Sequence, residues 1–150
     1  MNKERFRSTF LPLLAIPIGG LFALGLCYLL FLLVNNYFEF RIFSANPSEV
    51  PVFLIRRNLA FFLLALYIAL LFIKAPDLVK AIVLVGPLGF LTTTAILTYY
   101  EKPAWSAVVT VVITAINVIL LYIKKKQWFY YYAVAITVLV SVLLAWPRAG

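Results

Sequence analysis

The sequence predicts an all-α protein, a single domain of five transmembrane helices in one bundle, with the N-terminus cytoplasmic and the C-terminus outside. Three observations predict it. Of the 150 residues, 65% are hydrophobic and 12% are charged, whereas a soluble domain is usually about 45–50% apolar and about 25% charged. That leaves too little polar surface to cover a water-soluble globule of this size. Five apolar runs reach the roughly 20 residues that a helix needs to cross a hydrocarbon core. Most charges fall between the runs, prolines mark several of the gaps, and tyrosines and tryptophans collect near the ends of the runs.

The first span is expected at residues 10–34. A basic stretch, MNKERFR, precedes it, as in a signal peptide, but the apolar run exceeds a usual signal core and no A-x-A site follows, so it reads as a retained helix. Residues 35–51 read as the longest loop. Asn46-Pro47 and Glu49-Val50-Pro51 block helix there, because proline lacks an N–H and restricts the residue before it. The second span is expected at 52–73 and the third at 78–100, separated by Ala75-Pro76-Asp77. The fourth, at 105–123, follows the turn Glu101-Lys102-Pro103, and the fifth, at 129–146, follows Lys124-Lys125-Lys126. Tyr99, Tyr100, Trp105, Tyr122, Trp128, Tyr130, Tyr131, Tyr132 and Trp146 form the aromatic belt expected at headgroup level. With the N-terminus inside, Lys3, Arg5, Arg7, Lys74, Lys80 and Lys124 to Lys126 lie on the inner side. Arg41, Arg56, Arg57, Lys102 and Arg148 lie outside. The inner excess sets the orientation.

Lipid tails are as apolar as leucine, so helices associate through close packing and interhelical hydrogen bonds, which small residues permit. Small residues recur four apart in every span: Ala15, Gly19, Ala23 and Cys27; Ala65 and Ala69; Gly89 and Thr93; Ser106, Thr110 and Thr114, continued by Asn117; Ala133, Thr137, Ser141 and Ala145. Such spacing lines one face of a helix, and these faces are expected to point inward. The fourth ladder is the most polar. It either lines a water path or bonds back to the preceding turn. Asn117 is expected to reach a neighbouring helix. In the third span, Pro87 removes a helical hydrogen bond, frees the Val83 carbonyl and predicts a kink. Gly86 and Gly89 beside it allow close approach, and Thr92 to Thr94 stand ready to satisfy backbone groups. Broken helices line sites in some transporters and are also ordinary in membrane helices.

The charge is +8. Because the cations sit in short loops between apolar runs, anionic headgroups are the expected partner, and nucleic acid is not. Cys27 stands alone, which excludes an intrachain disulfide and makes it a packing residue. Histidine is absent, which removes histidine ligation of haem, most zinc and copper sites, and histidine acid–base chemistry. Glu4, Glu39, Glu49, Asp77 and Glu101 all fall in termini or loops, so no mid-membrane carboxylate is on hand for proton coupling. No cofactor, metal site or catalytic motif is predicted.

The stretch VFLIRRNLAF, residues 52–61, raises the sharpest question. A helix starting near Pro51 places Arg56 and Arg57 in its second turn and leaves residues 59–73 as an apolar run of about 23 Å at about 1.5 Å per residue. The arginines must then sit at or just below the headgroups and snorkel outward. Neighbours on a helix diverge by about 100°, so one is expected to meet lipid and the other the bundle, or Glu39 or Glu49. Three roles stay open: lipid anchoring with a loop ion pair, a docking surface for a partner subunit, and a basic clamp for an anionic substrate. Arg56, Arg57, Asn58 and Arg41 are the candidate anion or headgroup residues. Ser106, Thr110, Thr114, Asn117, Pro87, Gly86 and Gly89 are the candidates for a polar path or helix contact.

The functional expectation is a non-enzymatic accessory or structural membrane subunit, or a homo-oligomer, packing through small-residue faces. The alternative is a channel or carrier for a neutral or anionic solute or lipid, using the fourth-span ladder, the Pro87 kink and the outer arginines. An enzyme acting on a lipid headgroup near residues 39–58 is third. The expected partners are membrane lipids and other membrane subunits or further copies of the chain. A prokaryotic inner membrane is the expected location, since no transit-peptide pattern is present.

Overall fold

The computed structural model describes residues 3–42 and 50–146, with side chains from Thr9 onward. The described chain is all-helical. Helix α1 spans Lys3–Tyr37 and continues into a π-helical turn, Phe38–Ile42. It is followed by α2 (Val52–Phe72), α3 (Asp77–Thr98), α4 (Pro103–Ile123) and α5 (Trp128–Ala145). All five are long and apolar enough to cross a membrane. Helical structure, α1 and then the π turn, therefore runs through residues 35–42, which the sequence assigns to loop. Asn35, Asn36 and Glu39 are polar, but nothing from Val34 to Ile42 breaks a helix, and the helix satisfies their backbone groups internally. The Asn46-Pro47 and Glu49 breakers lie outside the described residues. Pro103 opens α4 at its first residue, where a missing N–H costs nothing.

Helix α3 holds the centre. It packs extensively on each of the other four, whereas α4 packs mainly on α3 and α5, and α2 on α3 and α1. The outer helices thus form an arc around α3, in the order α2, α1, α5, α4. The outward faces of that arc are large and apolar, with Phe22, Phe61, Val111 and Leu143 among the exposed residues.

Glycine makes the central contact possible. Gly20 on α1 meets Val85, and a Cβ on Gly20 would lie only 2.8 Å from a Val85 methyl. Gly86 on α3 returns the contact: a Cβ there would lie 3.0 Å from the Ala23 carbonyl oxygen and 3.1 Å from Cys27 Sγ. Cys27 is a buried free thiol packed into this seam. The pairings of Gly19 with Ile82, and of Gly86 with Ala23, show that α1 and α3 run parallel.

The other small-residue ladders divide. In α5, Ala133, Thr137, Ser141 and Ala145 are all buried. In α4, Ser106 and Thr110 are buried, while Thr114 and Asn117 are half-buried. In α2 the expectation fails, because Ala65 and Ala69 are both exposed. That helix packs instead through Ile55, Leu59, Ala60, Leu63 and Tyr67. Two alanines are too weak a stripe to outweigh a face where Leu59, Leu63 and Tyr67 recur at i, i+4 and i+8.

Candidate functional site

The predicted polar path does not assemble. Thr110 donates to Ser106 O at 2.8 Å, Thr114 to Thr110 O at 2.8 Å, and Asn117 Nδ2 to Ile113 O at 2.8 Å. Each group is tied to the carbonyl one turn back in its own helix. Asn117 thus stays on α4, contrary to the expectation that it reaches a neighbour. Its side chain is long enough to fold back onto the carbonyl of its own helix. Within this ladder Ser106 is the residue that crosses to another helix. Fully buried, its hydroxyl lies 2.8 Å from Tyr99 O and 3.2 Å from Ile96 O at the end of α3. Those carbonyls close the last turn of α3, where each also accepts a backbone N–H, Ile96 O from Tyr99 and Tyr99 O from Lys102, so the serine adds a second bond to each. Ser106→Ala is expected to cost about 1 kcal/mol, read as a lower unfolding midpoint in detergent. Thr114→Val, which removes only a local bond, is expected to shift it far less.

Pro87 is buried in a helix that continues unbroken to Thr98. The threonines beyond it do not reach back to Val83: Thr92 donates to Leu88 O at 2.8 Å and Thr94 to Phe90 O at 2.7 Å. Gly86 and Gly89 are packing positions. Gly89 lies against Leu24, and its carbonyl accepts from Ser141 Oγ at 3.3 Å. A proline in α1 has a clearer consequence. Pro17 deprives the Leu13 carbonyl of its helical donor, and the Tyr132 hydroxyl donates to that oxygen at 3.3 Å.

Two polar clusters sit at opposite ends of the bundle. The first joins the α2–α3 and α4–α5 turns. Tyr130 donates to Asp77 Oδ1 at 2.9 Å. Lys126 approaches the same oxygen at 3.5 Å and lies 5.1 Å over the Tyr130 ring. Lys80 is 7% exposed and donates to Leu71 O at 3.0 Å, a carbonyl left open at the end of α2. Tyr130 is completely buried, so it is not the belt residue the sequence suggested. Its ring faces the core and its hydroxyl closes on Asp77. Tyr99, Tyr100, Trp105, Tyr122, Trp128 and Trp146 are exposed near helix ends. This first cluster is internally paired, cation to carboxylate and donor to carbonyl.

The second cluster holds the arginine pair, which divides as helical geometry requires. Arg57 is exposed, 5.8 Å over the Phe53 ring. Arg56 is half-buried, and its Nε is buried without a hydrogen-bond partner. Tyr28 on α1 is its electrostatic neighbour. Asn58 is exposed and lines a separate groove of about 450 Å³ between α1 and α2 with Val34, Phe38, Leu54 and Phe62. Arg41 is exposed in the π turn. The structure thus brings none of Arg41, Arg57 and Asn58 onto Arg56. Among the described residues neither arginine forms an ion pair with Glu39; Glu49 lies outside them.

Sequence reasoning missed Tyr28, Asn35 and Thr93. Thr93 is 3% exposed and Asn35 is half-buried, yet Thr93 Oγ1 and Asn35 Oδ1 are buried without partners. Tyr28 lies beside Thr93. The available signals were a tyrosine in the middle of an apolar span and the central residue of a threonine triplet. No protein-family model, curated protein or solved structure matches the chain.

Proposed function

We propose that this chain is an integral membrane protein, N-terminus inside and C-terminus outside, that acts as a non-enzymatic structural or accessory subunit of the cell membrane. The observation that supports this reading most is the position of α3. A helix in the middle of an arc of four fills the space where a passage would run. The hydroxyls that would wet such a passage are instead bound to backbone carbonyls. Five apolar helices with exposed Leu, Phe and Val faces fit a bilayer, where neighbouring chains and lipids are equivalent solvents for those faces.

The experiment is extraction and reconstitution. The chain is expected to require detergent for solubility and to be recovered, in mild detergent, with a native mass above the 17.0 kDa of one copy, through partner subunits or further copies. Proteoliposomes are expected to be no leakier to small anions and neutral solutes than protein-free vesicles. A solute flux abolished by Thr114→Val or Asn117→Leu would replace this reading with a channel or carrier. Arg56 favours a second reading, in which the protein also engages anionic lipid, since a half-buried guanidinium without a carboxylate beside it is poorly placed as a mere anchor.

A further inference from the structure

We propose that Arg56, Thr93 and Tyr28 form a cradle between α1, α2 and α3 for the phosphate of an anionic phospholipid headgroup. The inference rests on the membrane reading above, but not on the accessory role.

The polar groups here are left over after the helices have been paid their hydrogen bonds. In α3, α4 and α5, Thr92, Thr94, Thr98, Thr110, Thr114 and Thr137 each donate to the carbonyl four residues back. Thr93 does not, although it is nearly fully buried. Its hydroxyl lies beside Tyr28 without a hydrogen bond between well-aligned groups. Arg56 lies one turn before Leu59 and Ala60, which share a buried cluster with Phe90 that Tyr28 packs against, and its Nε is buried without a partner. With Tyr28 edge-on to Phe90 at 5.1 Å, and Phe90 clustered with Leu59 and Ala60, the faces of α1, α2 and α3 that carry Tyr28, Arg56 and Thr93 adjoin at one level of the bundle. No carboxylate lies within ion-pair distance of Arg56 among the described residues.

A guanidinium beside two hydroxyls, with no carboxylate at hand, suits an oxyanion, to which all three can donate. A guanidinium edge binds phosphate through parallel N–H bonds, and Nε supplies one of them. A charged donor left without a partner is unfavourable, so an oxyanion bound at the half-buried guanidinium stabilises the arrangement. The surroundings select the form of that oxyanion. Val52, Phe53 and Leu54, in the turn before Arg56, are exposed and apolar. A hydrated free ion gains nothing from them, whereas the glycerol and acyl region of a lipid covers them. Asn35, seven residues beyond Tyr28 on the same stripe of α1, carries an orphaned amide oxygen, suited to a headgroup hydroxyl.

The test uses the full chain in mild detergent, with native mass spectrometry and lipid titration. Short-chain phosphatidylglycerol, a diacylglycerol without phosphate, and inorganic phosphate are the probes. Wild type is expected to retain phosphatidylglycerol, to ignore diacylglycerol, and to bind inorganic phosphate at least tenfold more weakly than the lipid. Arg56→Gln is expected to weaken lipid binding tenfold or more, Arg56→Lys and Thr93→Val several-fold, and Arg57→Gln less than twofold. Circular dichroism melting checks that each variant folds, and Thr93→Val, nearly isosteric, carries the test if Arg56→Gln does not. Equal losses from Arg56→Gln and Arg57→Gln, or none from Arg56→Gln and Thr93→Val, would overturn the cradle. Binding of inorganic phosphate as tight as that of the lipid would overturn the lipid assignment. None of these outcomes depends on native mass or flux, so the accessory reading fails or stands separately.

Discussion

Gly86→Leu is expected to destabilise the solubilised bundle by about 3 kcal/mol, the upper end of the usual overpacking cost. The reason lies in what the new side chain meets. At Gly86 even a Cβ would lie 3.0 Å from the Ala23 carbonyl oxygen and 3.1 Å from its carbon. These are backbone atoms of α1 and cannot rotate aside, so α1 must move away from α3. That movement also breaks the fit of Gly20 on Val85, one helical turn along the same seam. Gly25 provides the control. Nothing lies within 4 Å of a Cβ placed there, so Gly25→Ala is expected to be neutral or to gain up to about 1 kcal/mol from helix propensity. Unfolding midpoints of the two variants in the same detergent check the contrast. Equal shifts would mean that the α1–α3 seam does not hold the bundle together.

The comparison of these two glycines also shows what the sequence could convey. Helix boundaries are legible where chemistry forces a break: Pro103 can begin a helix, and the Lys124–Lys126 run interrupts an apolar series. The end of α1 is not legible, because Asn35 and Glu39 look like loop residues but carry no backbone prohibition. Small residues at Gly86, Gly89 and Thr93 mark α3 as closely packed, yet nothing in the pattern says that it is surrounded on four sides. That depends on which helices meet, a property of three dimensions. Ala65 and Ala69 show the limit of the rule. Spacing alone places them on one face, but bulkier neighbours decide which face is buried.

At the arginine pair, helical geometry alone separates Arg56 from Arg57, since adjacent residues diverge by about 100°. Which one turns inward follows from α2's buried stripe, where Ala60, Leu63 and Tyr67 lie four, seven and eleven positions beyond Arg56. Its companions were hidden for a different reason. Tyr28 and Thr93 are distant in sequence and look like an ordinary span tyrosine and an ordinary helix threonine. Only the hydrogen-bond ledger distinguishes Thr93, because its neighbours Thr92 and Thr94 have paired and it has not.

Phe90→Ala is expected to cost about 2–3 kcal/mol and, in the same protein, to weaken the Arg56 cradle. Phe90 is fully buried, edge-on to Tyr28 at 5.1 Å between ring centroids and tilted against Phe31 at 5.9 Å. In lipid, an apolar side chain gains nothing by leaving its solvent for the bundle, so the transfer part of the usual core penalty falls away. What remains is the void, roughly 100 Å³ at about 24 cal/mol per Å³, together with the lost ring contacts. The void lies directly against Tyr28, whose ring loses the surface that holds it toward Thr93 and Arg56. Stability and phosphatidylglycerol binding are therefore expected to fall together in Phe90→Ala. In Arg56→Gln, by contrast, binding falls while stability holds or rises, because an uncompensated buried donor has gone. Benzene added to Phe90→Ala is expected to restore part of both losses by occupying the apolar gap. Recovery of stability without recovery of lipid binding would show that Tyr28 is not held in place by Phe90, and that the cradle does not depend on the packing beneath it.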